Sequence, residues 1–278
     1  MTGAGTEAPR MDRLLEVGTS FNSLVALYQG NGEYREAEPI FKQQLEKDEQ
    51  TYGSNHPDVA WRLNNLADLY RALGRYGDAQ PLFERALNLL LETEGPSHPT
   101  VAFVLNNLAG MQILTGNYAE AEAFAKGALE IFESLLPSDQ PCLAPVLSNL
   151  ATACYAQAKL APAEQGYKRA IAIWDAGGAG RDQLELCANL NNLATVYRET
   201  GKYTEAEETY IHALRFAPRS PDRQHSKVAR ILNNLTDLLL ATGRRSEADT
   251  WSRLAGSAAK AERNVRDSVS DNKVNTHG

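Results

Sequence analysis

Cysteine is scarce: Cys142, Cys154 and Cys187 are the only three in 278 residues. Three thiols cannot build a disulfide framework, and no two have the C-x2-C spacing of a zinc site. A reducing, cytoplasmic setting is therefore expected. Basic charge is not in excess. The chain has 28 Lys+Arg against 35 Asp+Glu, a formal net charge of -7. Without a basic block, nucleic-acid binding is not expected, because phosphate contacts need clustered Lys and Arg. No apolar run approaches the about 20 residues that cross a bilayer. Residues Met1 to Arg10 are small and polar, with no apolar stretch after a basic start, so no signal peptide is expected either. The chain also lacks H-E-x-x-H, G-x-G-x-x-G and P-loop patterns, and no Ser or Cys lies in a nucleophile motif. The reading is non-enzymatic, with no cofactor, no metal and no membrane contact.

Apolar residues make up 43% and charged residues 23%, ordinary for a folded soluble chain. What stands out is internal repetition. Leu63-Asn64-Asn65-Leu66-Ala67 returns as Leu105-Asn106-Asn107-Leu108-Ala109 and as Leu147-Ser148-Asn149-Leu150-Ala151. It returns again as Leu190-Asn191-Asn192-Leu193-Ala194 and Leu232-Asn233-Asn234-Leu235-Thr236, with Phe21-Asn22-Ser23-Leu24-Val25 upstream. A second block follows each first: Gly74-Arg75-Tyr76-Gly77-Asp78-Ala79 matches Gly32 to Ala37, Gly116 to Ala121 and Gly201 to Ala206. The fourth copy is degraded to Ala158-Lys159-Leu160-Ala161-Pro162-Ala163, and the sixth reads Gly243 to Ala248.

Both blocks have helical periodicity. Leu63, Leu66, Ala67 and Tyr70 fall at i, i+3, i+4 and i+7, and Tyr76, Ala79, Phe83 and Ala86 fall at i, i+3, i+7 and i+10, one face of a second helix. Gly74 is placed to end the first helix in a left-handed conformation. His56-Pro57-Asp58 and His98-Pro99 are placed to start first helices. The alanine columns Ala67/Ala109/Ala151/Ala194 and Ala79/Ala121/Ala163/Ala206 mark close helix approaches. No period-2 alternation competes, so no strand is expected.

This pattern resembles the tetratricopeptide repeat, in the long variety found in kinesin light chains. The family positions are met by Leu63, Leu66-Ala67, Tyr70, Ala79 and Phe83. The 42-residue period and the linkers Gly53-Ser54-Asn55-His56-Pro57 and Gly95-Pro96-Ser97-His98-Pro99 carry the same likeness. Kinesin light chains add a long heptad region ahead of such an array, and with about ten residues before the first predicted helix none is expected here. The resemblance implies an all-α, right-handed α-solenoid of six stacked helix-turn-helix repeats over residues 11–262. The repeats fall at about 12–53, 57–95, 98–137, 140–178, 183–218 and 225–260. Residues 1–10 and 263–278 are polar and aperiodic, and are expected to be disordered. The glycine run Gly177-Gly178-Ala179-Gly180 reads as a linker.

In such arrays the first helices line a concave groove. Beside their apolar face runs a stripe: Asn22 in the first copy; Trp61, Asn64, Asp68 and Arg71; Phe103 and Asn106; Ser148, Thr152 and Tyr155; Asn191, Thr195 and Arg198; Arg230, Asn233 and Asp237. Asn is a mediocre helix former, so its recurrence mid-helix asks for a reason. The first column is assigned to a ligand, as an amide ladder gripping an extended peptide. Changing Asn64, Asn106 and Asn191 together to Ala is expected to abolish binding at little cost in stability. The neighbouring column, Asn65, Asn107, Asn149, Asn192 and Asn234, lies about 100° away. It is open between ligand contact and a bridge between adjacent helices. Trp61, Phe103 and Tyr155 either form pockets or fill gaps between repeats. Arg71, Arg198 and Arg230 suit carboxylates, whereas Asp68 and Asp237 oppose an acidic ligand. Glu205, Glu207 and Glu208 repeat Glu36/Glu38 and Glu120/Glu122 and read as a solvated helix face. The expected partner is a protein or peptide, bound by a monomeric adaptor. The alternatives are a scaffold acting through its convex face or ends, and a regulatory subunit with a small-molecule site.

Overall fold

The computed structural model describes residues 34–176, 183–216 and 225–257. Asn22, the first helix of the first copy, the glycine run and both predicted disordered ends lie outside them. Ten helices follow one another: α1 (Tyr34–Tyr52), α2 (Pro57–Ala72), α3 (Tyr76–Thr93), α4 (Pro99–Thr115), α5 (Tyr118–Leu135), α6 (Leu143–Ala156), α7 (Leu160–Ala176), α8 (Gln183–Glu199), α9 (Tyr203–Phe216) and α10 (His225–Ala241). Residues 245–257 form a further helix, α11, and no strand occurs among the described residues. The fold is all-α, built of stacked helix-turn-helix pairs. It divides into two compact units, Met1–Ala153 and Cys154–Gly278.

The starts and stops are those the sequence spells. His56 and His98 cap α2 and α4: their Nδ1 atoms accept from the backbone N–H groups of Asp58 (3.2 Å) and Thr100 (3.4 Å). Pro57 and Pro99 follow at first-turn positions, where a missing N–H costs nothing. Each first helix ends in the same two-bond cap. Gly74 donates to Arg71 O at 3.0 Å and Arg75 to Tyr70 O at 2.8 Å. The pattern recurs at Gly116/Asn117, Gly201/Lys202 and Gly243/Arg244. Its turn residue has positive φ, +74° at Gly74 and +75° at Gly201. In the fourth copy Ala158 adopts the same conformation at φ +58°.

In the first unit Leu63, Leu66, Ala67 and Tyr70 of α2 bury against Phe83, Ala86 and Leu90 of α3 and against Val101, Val104 and Leu108 of α4. In the second, Tyr167 and Trp174 of α7 share burial with Leu190 and Leu193 of α8, Tyr210 of α9 and Leu235 of α10. Both alanine columns are fully buried, where a larger side chain would force the helices apart. First helices of successive pairs also touch, α2 with α4 and α8 with α10.

Candidate functional site

The two Asn columns hydrogen-bond to each other across successive helix pairs. Asn107 Nδ2 donates to Asn64 Oδ1 at 2.9 Å. Asn149 Nδ2 donates to Asn106 Oδ1 at 2.9 Å and to the Asn106 carbonyl at 3.3 Å. Asn234 Nδ2 donates to Asn191 Oδ1 at 2.9 Å. An acceptor in one pair is thus met by a donor in the next. Asn107, Asn149 and Asn234 of the second column form the inter-helix bridge that the sequence leaves open, whereas Asn65 and Asn192 accept only from the neighbouring Asn64 and Asn191 among the described residues. Asn64 and Asn191 are only 2% and 3% exposed. Their NH2 groups make longer contacts to Asn65 (3.5 Å) and Asn192 (3.3 Å). Asn106 differs: it is half-buried, and its NH2 has no partner among the described residues.

The aromatic candidates in the first unit meet one another. The Trp61 and Phe103 rings are tilted with centroids 5.9 Å apart. Phe103 also meets the edge of Phe132 at 5.1 Å. Both Trp61 and Phe103 remain half-buried, so they fill space between helix pairs and still present surface. Asp68 is buried and held by Arg71, whose Nη2 lies 2.6 Å from its Oδ1. That pair neutralises itself. Thr152 and Thr195 are half-buried; their hydroxyls donate to the carbonyls of Ser148 (2.8 Å) and Asn191 (3.0 Å). Tyr155 donates to Glu199 Oε1 at 2.5 Å. Burial, then the nearby Glu199 carboxylate, push the phenol up to about 12. Arg198 is half-buried, and Arg230, Asn233 and Asp237 are exposed. Neither Arg198 nor Arg230 has an ion pair among the described residues. The cysteines are free; burial pushes the half-buried Cys142 thiol up to about 11, far from a reactive thiolate.

A second recurring constellation lies at the turns, and it corrects the reading of a solvated face for Glu38 and Glu207, while Glu120, Glu205 and Glu208 are exposed as expected. Glu38 Oε2 accepts from Arg75 Nη1 of the next pair at 2.7 Å. Glu38 Oε1 accepts from Tyr70 Oη at 3.1 Å. Arg75 stacks over the Tyr70 ring, 4.2 Å from its centroid. In the second unit Glu164 holds Lys202 at 2.8 Å, with Lys202 and Lys168 each 5.4 Å from the Tyr197 centroid. Glu207 likewise holds Arg244. The cause is the stacking register, which sets the residue after each turn against the preceding second helix. A sequence signal existed. Where the carboxylate column reads Gln80, the residue after the next turn glycine is Asn117, so both charges vanish together. There Asn117 Nδ2 donates instead to Gln112 Oε1, in the tyrosine column, at 2.9 Å.

The sequence profile of the tetratricopeptide repeat matches residues 16–92, 68–134, 100–176 and 185–261. Among solved structures, BtubC (BKLC) from P. vanneervenii is similar at 28% identity and TM-score 0.61, over 76% of this chain and 85% of that one. A putative kinesin light chain from Podosopora anserina with nearly identical TPR-like repeats is similar at 25% identity and TM-score 0.56, over 73% and 97%. Pseudomonas aeruginosa pilF, at 18% identity and TM-score 0.60 over 92% and 98%, shares the fold. No curated protein sequence matches the chain. Among the described residues no helix is long and apolar enough to cross a membrane.

Proposed function

This chain belongs to the tetratricopeptide-repeat family, in its kinesin-light-chain-like variety, and on that premise we propose that it is a non-enzymatic adaptor holding an extended peptide or partner helix on its first-helix face. Repeats of this family indicate a protein–protein interaction scaffold, so the partner is a protein. The observation that carries the reading is where bonding capacity remains unspent. The NH2 of Asn106 and the guanidinium groups of Arg198 and Arg230 have no partner among the described residues, and all three lie on first helices. Several second-helix charges pair with one another, as in Lys168–Glu164 (2.6 Å), Lys126–Glu122 (2.7 Å) and Arg85–Glu49 (2.7 Å). Unspent amide and guanidinium donors on the first helices, with the half-buried Trp61 and Phe103 rings on first helices of the first unit, favour ligand capture there.

The test is selection of a random-peptide display library on three proteins. They are the wild type, a first-helix variant (Trp61→Ala with Arg198→Glu) and a second-helix control (Glu84→Lys with Gln165→Lys). Peptides that enrich on wild type and control but not on the first-helix variant support the proposal. Equal enrichment on all three, or none on wild type, rejects it.

A further inference from the structure

The first helices are not alike in charge. α2 carries Asp58, Arg62, Asp68 and Arg71; α8 carries Glu185, Arg198 and Glu199; α10 carries Lys227, Arg230 and Asp237. α4 has no charged side chain in 17 residues, and α6 has none in 14. Packing does not require this, because helices in the equivalent place carry charge. The neutral stretch is local to the first unit, where the bond from Asn149 to Asn106 sets α4 and α6 side by side.

Phe103, Asn107 and Gly110 lie within about 60° of one another around α4, and Leu114, three turns beyond Phe103, shares their direction. Leu114 is 52% exposed, and Phe103, Asn107 and Gly110 are all partly accessible. On α6 Pro145 is exposed and Ser148 half-buried. At the edge of this surface is the unspent NH2 of Asn106. Gly110 stands where α2 has Asp68 and α10 has Asp237, so the one column position that carries acid elsewhere is here only backbone. A charged ligand side chain brought against this wall loses hydration and finds no counter-charge. An apolar side chain gains by covering Phe103 and Leu114, and a main-chain carbonyl can take the Asn106 donor.

We propose that the α4–α6 part of this face is a subsite for an uncharged peptide segment, with an aliphatic or aromatic side chain against Phe103 and Leu114 and a backbone carbonyl on Asn106 Nδ2. This rests on the peptide-binding reading above and names the ligand chemistry at one place within it.

The probe is the same random-peptide library, selected on the wild-type full chain. Enriched peptides are then synthesised and titrated against Asn106→Asp, Leu114→Glu, Arg198→Glu and the second-helix control Glu84→Lys. Asn106→Asp keeps the oxygen that Asn149 needs, removes the donor and adds a negative charge, against which Leu114→Glu serves as the comparison. Leu114→Glu changes an exposed side chain outside the ladder, so the fold is retained even if the first variant is not. The expected result is a shared motif with an apolar core free of Asp, Glu, Lys and Arg. Affinity falls about tenfold or more in Asn106→Asp and Leu114→Glu, and is unchanged in the second-helix control Glu84→Lys. A motif charged throughout, or wild-type affinity in both α4 variants, overturns the subsite. If binding is lost only in Arg198→Glu, the groove reading stands and this subsite is wrong. If no peptide enriches on wild type, both fall.

Discussion

Asn234 donates its amide proton to the amide oxygen of Asn191, 2.9 Å away and one helix pair earlier. Asn107 does the same for Asn64, and Asn149 for Asn106. A buried Asn191→Ala leaves the Asn234 donor unmet, at an expected cost of about 1–3 kcal/mol. Asn106→Ala is expected to cost less, because Asn106 is half-buried and water can replace it. Denaturant midpoints at unchanged slope measure both. A coupling near zero in an Asn191→Ala/Asn234→Ala cycle would remove the ladder from the stability account. The triple change of Asn64, Asn106 and Asn191, expected from sequence to spare stability, breaks three such bonds and carries a stability cost of its own.

Ala158 occupies a turn position where the five other copies have glycine, and it holds φ +58°. A Cβ in that region meets its own backbone. Ala158→Gly should therefore stabilise the chain by up to about 1 kcal/mol, the relief being partly offset by the entropy of glycine. Gly201→Ala should destabilise by a similar amount. Its φ is +75° and no atom lies within 4 Å of the added Cβ, so the effect would be conformational strain alone. Thermal unfolding of the pair gives opposite shifts if this holds.

The fold was legible because repetition multiplies a weak signal. One Leu-x-x-Leu-Ala block is ambiguous, and four in register with two degenerate copies are not. The caps at His56 and His98 and the turn at Gly74 were legible because each has a local cause within a few residues. The pairing of Asn107 with Asn64 was not, since it depends on how far successive pairs rotate, which no single helix encodes. The Glu38–Arg75 bridge spans 37 positions and needed the repeats to be compared column by column. The difference between buried Asn64 and half-buried Asn106 also lies in packing, because both stand in identical Leu-Asn-Asn-Leu-Ala blocks.

Glu164 links Lys168 and Lys202, and hydrogen bonds from Lys168 and then Lys202 hold its carboxyl below the usual carboxylate range. Because the folded value is lowered, its contribution is present above the unfolded pKa and lost as pH falls through the folded one. The window lies at and below about pH 4. The pair is partly solvent-screened, so the contribution is at most about 1 kcal/mol and weakens with salt. Glu164→Gln should flatten the fall in stability between neutral pH and the acid limit. Unfolding midpoints of wild type and variant that stay parallel through that range would show that the bridge contributes nothing.

Asn189 is 1% exposed in a column where α4, α6 and α10 place Val104, Val146 and Ile231. Its NH2 donates to the Glu185 carbonyl one turn back at 2.9 Å. Its Oδ1 has no partner among the described residues. An unmet buried acceptor carries its full desolvation cost. Val differs little from Asn in helix propensity, so Asn189→Val exchanges that cost chiefly for a modest change in packing. The expected gain is about 1 kcal/mol, read as a higher denaturant midpoint at unchanged slope. Destabilisation would mean instead that a trapped water satisfies the oxygen, and that this column departs from its apolar pattern in order to hold one.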